Sequence, residues 1–158
     1  MQNLYFYQTP LGEIGIAQNE AAITNLYFPD ETLPQIPIQE TALLNQAGQE
    51  LADYFAGNRK YFDLPLAPAG TIFQKAVWQS LTEIPYAATR TYKDIAFKIA
   101  NPKACRAVGQ ANNKNPIPIL IPCHRVIGSN GSLVGYASGL AIKKYLLELE
   151  QKYKNKAI

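Results

Sequence analysis

The stretch PIPILIPCHRVIG, residues 116–128, sets Cys123 directly before His124, the only histidine in the 158-residue chain. A thiolate is the reactive form of cysteine, and a free thiol is mostly protonated near neutral pH. Nucleophilic chemistry here therefore needs a base, and the base needs a third group to hold it. Three prolines, Pro116, Pro118 and Pro122, exclude a regular helix. In an extended strand adjacent side chains point to opposite faces. Sulfur and imidazole would meet only through a local turn, a task suited to Pro122, or through a bridging water. On its own the pair reads either as a nucleophile with its base or as a buried structural thiol.

A third group is within the same half of the chain. SGLAIKKYLLELE (138–150) has the pattern of an amphipathic helix from about Leu140, with Leu140, Leu147 and Leu149 among its apolar residues and Glu150 near its end. Glu150 is a candidate to orient the imidazole, as the acid does in nucleophile, base and orienter triads. The alternative is an exposed carboxylate at a helix end.

The elements before this segment must position it. In TIFQKAVWQSLTEI, residues Phe73, Val77, Trp78, Leu81 and Ile84 fall on one helical face, the spacing of a core helix. Thr91 can cap YKDIAFKIA, with Asp94 three residues on as a capping box. Asn101-Pro102 ends that helix and puts proline at the first position of the next, KACRAVGQANN (103–113). Two short helices joined by almost no loop suggest a helix-turn-helix. The second is built from small residues, with Arg106 the only long side chain in its middle. A helix reading major-groove edges would offer several long polar side chains. This one suits close backbone approach to DNA with one inserted arginine, or else tight packing in a core.

The first half has a different character. LYFYQTPLGEIGIAQNEAAITNLYF alternates β-formers with turn signals at Thr9-Pro10-Leu11-Gly12 and Gln18-Asn19-Glu20, which predicts three antiparallel strands. Leu43, Leu44, Ala47, Leu51 and Phe55 recur at helical spacing until Gly57-Asn58, so a helix should cover the sheet. DLPLAPAG (63–70) has the composition of a linker. Residues 1–70 carry two basic and eight acidic side chains, a net of −6, whereas residues 71–158 carry 13 and four, a net of +9. The second half is a candidate polyanion binder or a solvated basic surface. A hydrophobic fraction of 47% with 17% charged residues is ordinary for a globular protein. Two cysteines make neither a disulfide framework nor a zinc cluster, which suits a reducing compartment. No signal peptide or membrane-length apolar run is present, so the cytoplasm is the default location.

Two segments carry a family resemblance. NPIPILIPCHRVIGSNGSLVGYASGLAIKKYLLELE (115–150) resembles the active-site signature of the O6-alkylguanine-DNA alkyltransferases, the methylated-DNA–protein-cysteine methyltransferases, and TYKDIAFKIANPKACRAVGQANNKN (91–115) resembles their helix-turn-helix. The likeness runs from about Phe73 to Glu150, about half the chain, and PCHRV followed by the tyrosine and Gly-Leu context is highly specific. It implies an α+β protein. A small N-terminal α/β domain (1–66), ribonuclease H-like with three strands and a helix, precedes a mainly helical, winged-helix-like domain with a helix-turn-helix (67–158).

The implied activity is DNA repair by direct reversal of O6-alkylguanine in duplex DNA, with O4-alkylthymine left open, and with no cofactor. The base is flipped out of the stack and its alkyl group moves irreversibly to Cys123, once per molecule. His124, held by Glu150, would act through water as the base. Tyr92 would assist the leaving guanine, and Arg106 would fill the space left in the duplex. Lys93, Asn101, Ala107 and Ser129 fall at DNA-contact positions. Asn115, Val126, Tyr136, Ala137 and Ser138 fall in the alkylguanine pocket, with Asn115 linking recognition helix to active-site turn. Arg125 reads as a structural bridge, and Cys105 as a small packing residue.

The run Tyr136-Ala137-Ser138-Gly139 departs from the glycine-rich family pattern, and Ser138 predicts reduced tolerance of large O6 groups such as benzyl. The N-terminal half lacks cysteine and histidine, so the zinc of some relatives is not expected. The expected partner is double-stranded DNA containing the lesion, with no membrane and no protein partner, the chain acting as a monomer. A non-enzymatic lesion-binding protein of the same fold would lack the acceptor cysteine. A Cys/His/Glu hydrolase would need an oxyanion site and would turn over repeatedly.

Overall fold

A computed structural model of the chain describes residues 1–133, 136 and 139–158, so the expectations for Ala137 and Ser138 lie outside the described residues. The chain divides into two units, Met1–Pro68 with Lys156–Ile158, and Ala69–Asn155.

In the first unit the alternating apolar residues form β1 (Asn3–Thr9), β2 (Gly12–Gln18) and β3 (Ile23–Tyr27), an antiparallel sheet in the order β1-β2-β3. Ile14 and Ile16 of the central strand are fully buried. Both edges are covered. Leu4 on β1 exchanges backbone hydrogen bonds with Pro37 and Gln39, and Ile23 on β3 does so with Pro65 and Ala67. Residues 65–67, expected to be linker, therefore run along the sheet. Two proline-flanked segments occupy edge groups that would otherwise template another chain.

Helix α1 (Ala42–Phe55) starts where Thr41 accepts from the Leu44 N–H. It buries Leu44, Ala47, Leu51, Tyr54 and Phe55. Gly48 permits its close approach, since a Cβ there would stand 2.6 Å from the Tyr7 ring.

In the second unit α2 (Ile72–Thr82) begins with a complete capping box between Thr71 and Gln74. It buries Val77, Trp78 and Leu81. Trp78 Nε1–H donates to Ala111 O at 2.8 Å, tying α2 to the segment that carries Arg106. A short strand β4 (Arg90–Thr91) leads into α3 (Tyr92–Lys98), capped by Thr91 and Asp94 as the sequence predicts. Helix α4 (Cys105–Asn113) follows, then a single 3-10 turn at Cys123–Arg125, strand β5 (Val126–Ile127) parallel to β4, and α5 (Leu140–Tyr153).

Two details correct the sequence reading. Pro102 does not open α4, which begins only at Cys105. Ala104 N–H bonds Asn101 O, closing a four-residue turn whose second position is Pro102, a place its fixed φ suits as well as a helix start. Leu140, expected on the apolar face of α5, is 51% exposed at the helix's first residue, while Leu146 and Leu149 are buried. The α3–α4 corner is a Schellman turn. Asn101 N–H reaches Ala96 O, Ala100 N–H reaches Phe97 O, and Ala100 takes φ +58°. Among the described residues no helix is long and apolar enough to cross a membrane.

Candidate active site

The proline-broken segment makes a local turn at the cysteine and histidine, and among the described residues no hydrogen bond joins the thiol to the imidazole. Pro122 (φ −80°, ψ 64°) leaves the extended path, and Cys123, His124 and Arg125 follow as one 3-10 turn, all three buried. The turn is held from α4 and the residues after it. Asn115 Nδ2 donates to Ile121 O at 2.8 Å, its Oδ1 accepts from the Ile117 N–H, and Asn112 Nδ2 donates to Cys123 O at 3.3 Å.

Beneath the turn lies a charge cluster that two distant segments build. His124 Nε2–H donates to Glu150 Oε2 at 2.7 Å. Arg125 grips the same carboxylate with both Nε and Nη2 at 2.9 Å, spends Nη1 on Ile84 O, and lies over the Tyr86 ring. Ala87 N–H adds a further donor to Glu150 Oε1. Glu150 is fully buried, so it is no exposed helix end. Burial by itself would raise its pKa, but the hydrogen bonds and charges of His124 and Arg125 outweigh this and hold the carboxyl well below the usual carboxylate range. Burial pushes His124 below the ordinary imidazole value, and Glu150 only partly opposes that. At neutral pH the ring is therefore neutral. With Nε2–H committed to Glu150, the basic lone pair lies on Nδ1, which is buried and has no hydrogen-bond partner among the described residues.

The thiol needs such a base. Burial raises the Cys123 pKa to about 11, against the pull of hydrogen bonds from Asn115 and Tyr136 and the charge of Lys143. Lys143 is itself fully buried, although lysine is almost never so unless paired. Its ammonium donates to Val126 O and stands 6.0 Å from the ring centres of both Tyr92 and Tyr136. Burial lowers its pKa to about 8, with Cys123 acting in the opposite direction. Lys143 and Glu150 are seven residues apart, two helical turns, so one face of α5 delivers both charges.

Beside this core a groove of about 460 Å³ is lined by Tyr92, Lys93, Cys105, Arg106, Gly109, Asn113, Gly128 and Ser129. Arg106 is exposed, and α4 buries only Val108, Ala111 and Asn112, so the helix is not sealed in a core. Asn101 and Ala107 are exposed but do not line the groove. Val126 is buried with its N–H bonded to Cys123 O, and Tyr136 is buried within hydrogen-bond reach of the thiol. The structure thus brings Cys123, His124, Glu150, Asn115, Val126, Tyr136 and Tyr92 together, and puts Lys93, Arg106 and Ser129 around the groove.

A family model described as 6-O-methylguanine DNA methyltransferase, DNA binding domain, matches residues 72–152, and one described as the ribonuclease-like domain of the same protein matches residues 4–68. The methylated-DNA–protein-cysteine methyltransferase of Methanosarcina barkeri is 53% identical over 148 residues, 91% of this chain and 94% of the relative. The chain belongs to the 6-O-methylguanine DNA methyltransferase family. The constitutive methylated-DNA–protein-cysteine methyltransferase of Bacillus subtilis is 50% identical over 158 residues, covering 94% of this chain and 96% of that one. The crystal structure of Mycobacterium tuberculosis OGT in complex with DNA superposes with a TM-score of 0.90 at 41% identity, covering 96% and 94% of the two chains. The family's α+β architecture, a ribonuclease-like domain before a DNA-binding domain, is the architecture seen here.

Sequence reasoning missed Asn112 and Lys143. Each is a polar residue in a helix with an exposed polar residue next to it, Asn113 and Lys144, and nothing local marks it as buried. One signal was available for Lys143: it is seven residues before Glu150, on the face already assigned to that carboxylate.

Proposed function

We propose that this protein repairs DNA by taking the alkyl group from O6 of guanine onto Cys123, acting as a methylated-DNA–protein-cysteine methyltransferase. The observation that carries the reading is a buried cysteine whose neighbours supply every group the transfer needs. His124 Nδ1 is the lone pair that accepts the thiol proton, through water, while Glu150 stabilises the imidazolium. The ammonium of Lys143 balances the thiolate inside a pocket where burial otherwise forbids charge. The sulfur attacks the alkyl carbon in line, an S–C bond forms as the C–O6 bond breaks, and the electron pair leaves on guanine, which then takes up a proton. Tyr92, at the pocket edge on the first turn of α3, assists that departure.

The reacting carbon lies inside the base stack, so the nucleotide must first rotate out. Arg106 enters the duplex in its place, and Lys93, Asn101, Ala107 and Ser129 hold the backbone. Asn115, Val126 and Tyr136 receive the base, together with Ala137 and Ser138. The thioether has no hydrolytic route out of this site, so each molecule acts once. The two domains, 1–66 and 67–158, divide into support and chemistry. The protein works as a monomer wherever DNA is reached, in cytoplasm or nucleoid.

The test is mass spectrometry of the protein after mixing with a duplex carrying one O6-methylguanine, with Cys123→Ser alongside. The expected result is one added CH₂ on the Cys123 peptide, stopping at one methyl per protein. An unmodified protein that still binds the lesion duplex would overturn the reading in favour of a recognition protein.

A further inference from the structure

Asn112 occupies the last full turn of α4, the helix that carries Arg106 near its other end. It is 1% exposed, and its Nδ2 donates to Cys123 O at 3.3 Å. The same carbonyl also accepts from the Val126 N–H, which closes the 3-10 turn. The other half of the carboxamide does worse, since Asn112 Oδ1 is buried with no hydrogen-bond partner among the described residues. A buried carboxamide that makes one long hydrogen bond and leaves its oxygen unpaired is worse for folding than an apolar side chain of the same shape. The surroundings would suit leucine: Ala111 and Val108 are buried on the same helix, and Trp78 packs onto this turn through its bond to Ala111 O. A polar group kept where the fold would gain by losing it points to the reaction rather than to stability.

We propose that Asn112 is a positioning residue for the nucleophile: its amide clamps the Cys123 carbonyl, fixing the peptide plane between Cys123 and His124 and hence the directions in which thiol and imidazole leave the backbone. The inference rests on the alkyl-transfer reading and deepens it. Two donors on one carbonyl, one from within the turn and one from α4, leave the peptide no freedom to rock. Asn115 performs the matching task at Ile121 O, two residues before the nucleophile. The turn is therefore registered against the C-terminal end of the helix whose N-terminal end bears Arg106. Seating Arg106 in the duplex and aiming Cys123 at the flipped base become one alignment set by one rigid element.

The experiment compares wild type, Asn112→Leu and Asn112→Ala for melting temperature, affinity for an unmodified duplex, and the second-order rate of methyl transfer from an O6-methylguanine duplex at pH 6 to 9. A misplaced reacting atom costs up to about 10²-fold in rate, so a fall of roughly 10-fold or more is expected in both variants. The fall should be uniform across the pH range because no titrating group is removed. Duplex affinity should be unchanged, and Asn112→Leu should melt at or above the wild-type temperature. A merely structural asparagine would give the reverse, a lower melting temperature with an unchanged rate. That result overturns the proposal, as does failure of both variants to fold. Wild-type protein that takes up no methyl group would instead refute the alkyl-transfer reading itself.

Discussion

Replacing Glu150 with glutamine tests the centre of the site, because this one carboxylate accepts from His124, twice from Arg125 and from Ala87 N–H while fully buried. Glutamine keeps the shape and removes the charge. Its amide nitrogen would face one of the two Arg125 donors while its oxygen accepts from the other, leaving a buried guanidinium with one acceptor fewer and no countercharge from this residue. Breaking a buried ion pair on one side costs about 3–5 kcal/mol. For a chain of this size each kcal/mol moves the melting temperature by roughly 2–4 °C, so a fall of about 10 °C is expected.

The pH dependence has a defined sign. The Glu150 pKa is lowered by folding, so its contribution is complete above the unfolded value, about 4.3, and is lost only as pH falls through the much lower folded value. The gap between wild type and variant should therefore be constant from pH 8 to 5. His124 is also lowered, so the unfolded chain binds its proton first, and wild-type stability should decline below about pH 6.5 by at most ~1.4 kcal/mol per pH unit. Thermal scans at pH 8, 7, 6 and 5, with methyl transfer measured well below each melting temperature, check both points. Transfer should drop at least about 100-fold, the low end of what a positioned base contributes. A melting temperature within 2 °C of wild type, or transfer at the wild-type rate, would refute the reasoning.

Lys143→Met removes the charge that favours the thiolate, so the pH–rate profile of methyl transfer should shift to higher pH and the rate at pH 7.5 should fall about 10-fold per unit of thiol pKa. The same change should raise stability at pH 7, because the desolvation cost of a buried ammonium disappears, and thermal denaturation reads this directly. Iodoacetamide at pH 7.5 should label Cys105 well before Cys123, since Cys123 is 4% exposed and its pKa is about 11; peptide mass spectrometry decides, and faster labelling of Cys123 would mean that the resting thiol is already ionised. Ala100→Gly should stabilise the protein by about 1 kcal/mol, because Ala100 holds φ +58° at the α3 terminus, and denaturant unfolding with an unchanged m-value is the check.

Much of the framework was legible in sequence because its causes are local. The capping box at Thr91 and Asp94, the strand alternation of β1 to β3 and the face of Val77, Trp78 and Leu81 each depend on residues within a few positions of one another. Where local cues competed, they misled. Asn101-Pro102 serves a turn as well as a helix start, and Pro65 and Pro68 looked like linker composition although Pro65 O accepts from β3.

The sequence by itself determined which chemistry this protein carries: one cysteine before one histidine in a segment unable to form a helix, a lone arginine on a helix of small residues, and a basic second half. Only the tertiary structure decided how that chemistry is made to work. His124 and Glu150 are separated by 26 residues, Asn112 and Cys123 by 11, and Lys143 looks in sequence like any surface lysine of an amphipathic helix. Reactivity here depends on desolvation, which raises the thiol, lowers the imidazole and magnifies each charge that remains. Desolvation is a property of everything packed around a residue, and no short window of sequence contains it.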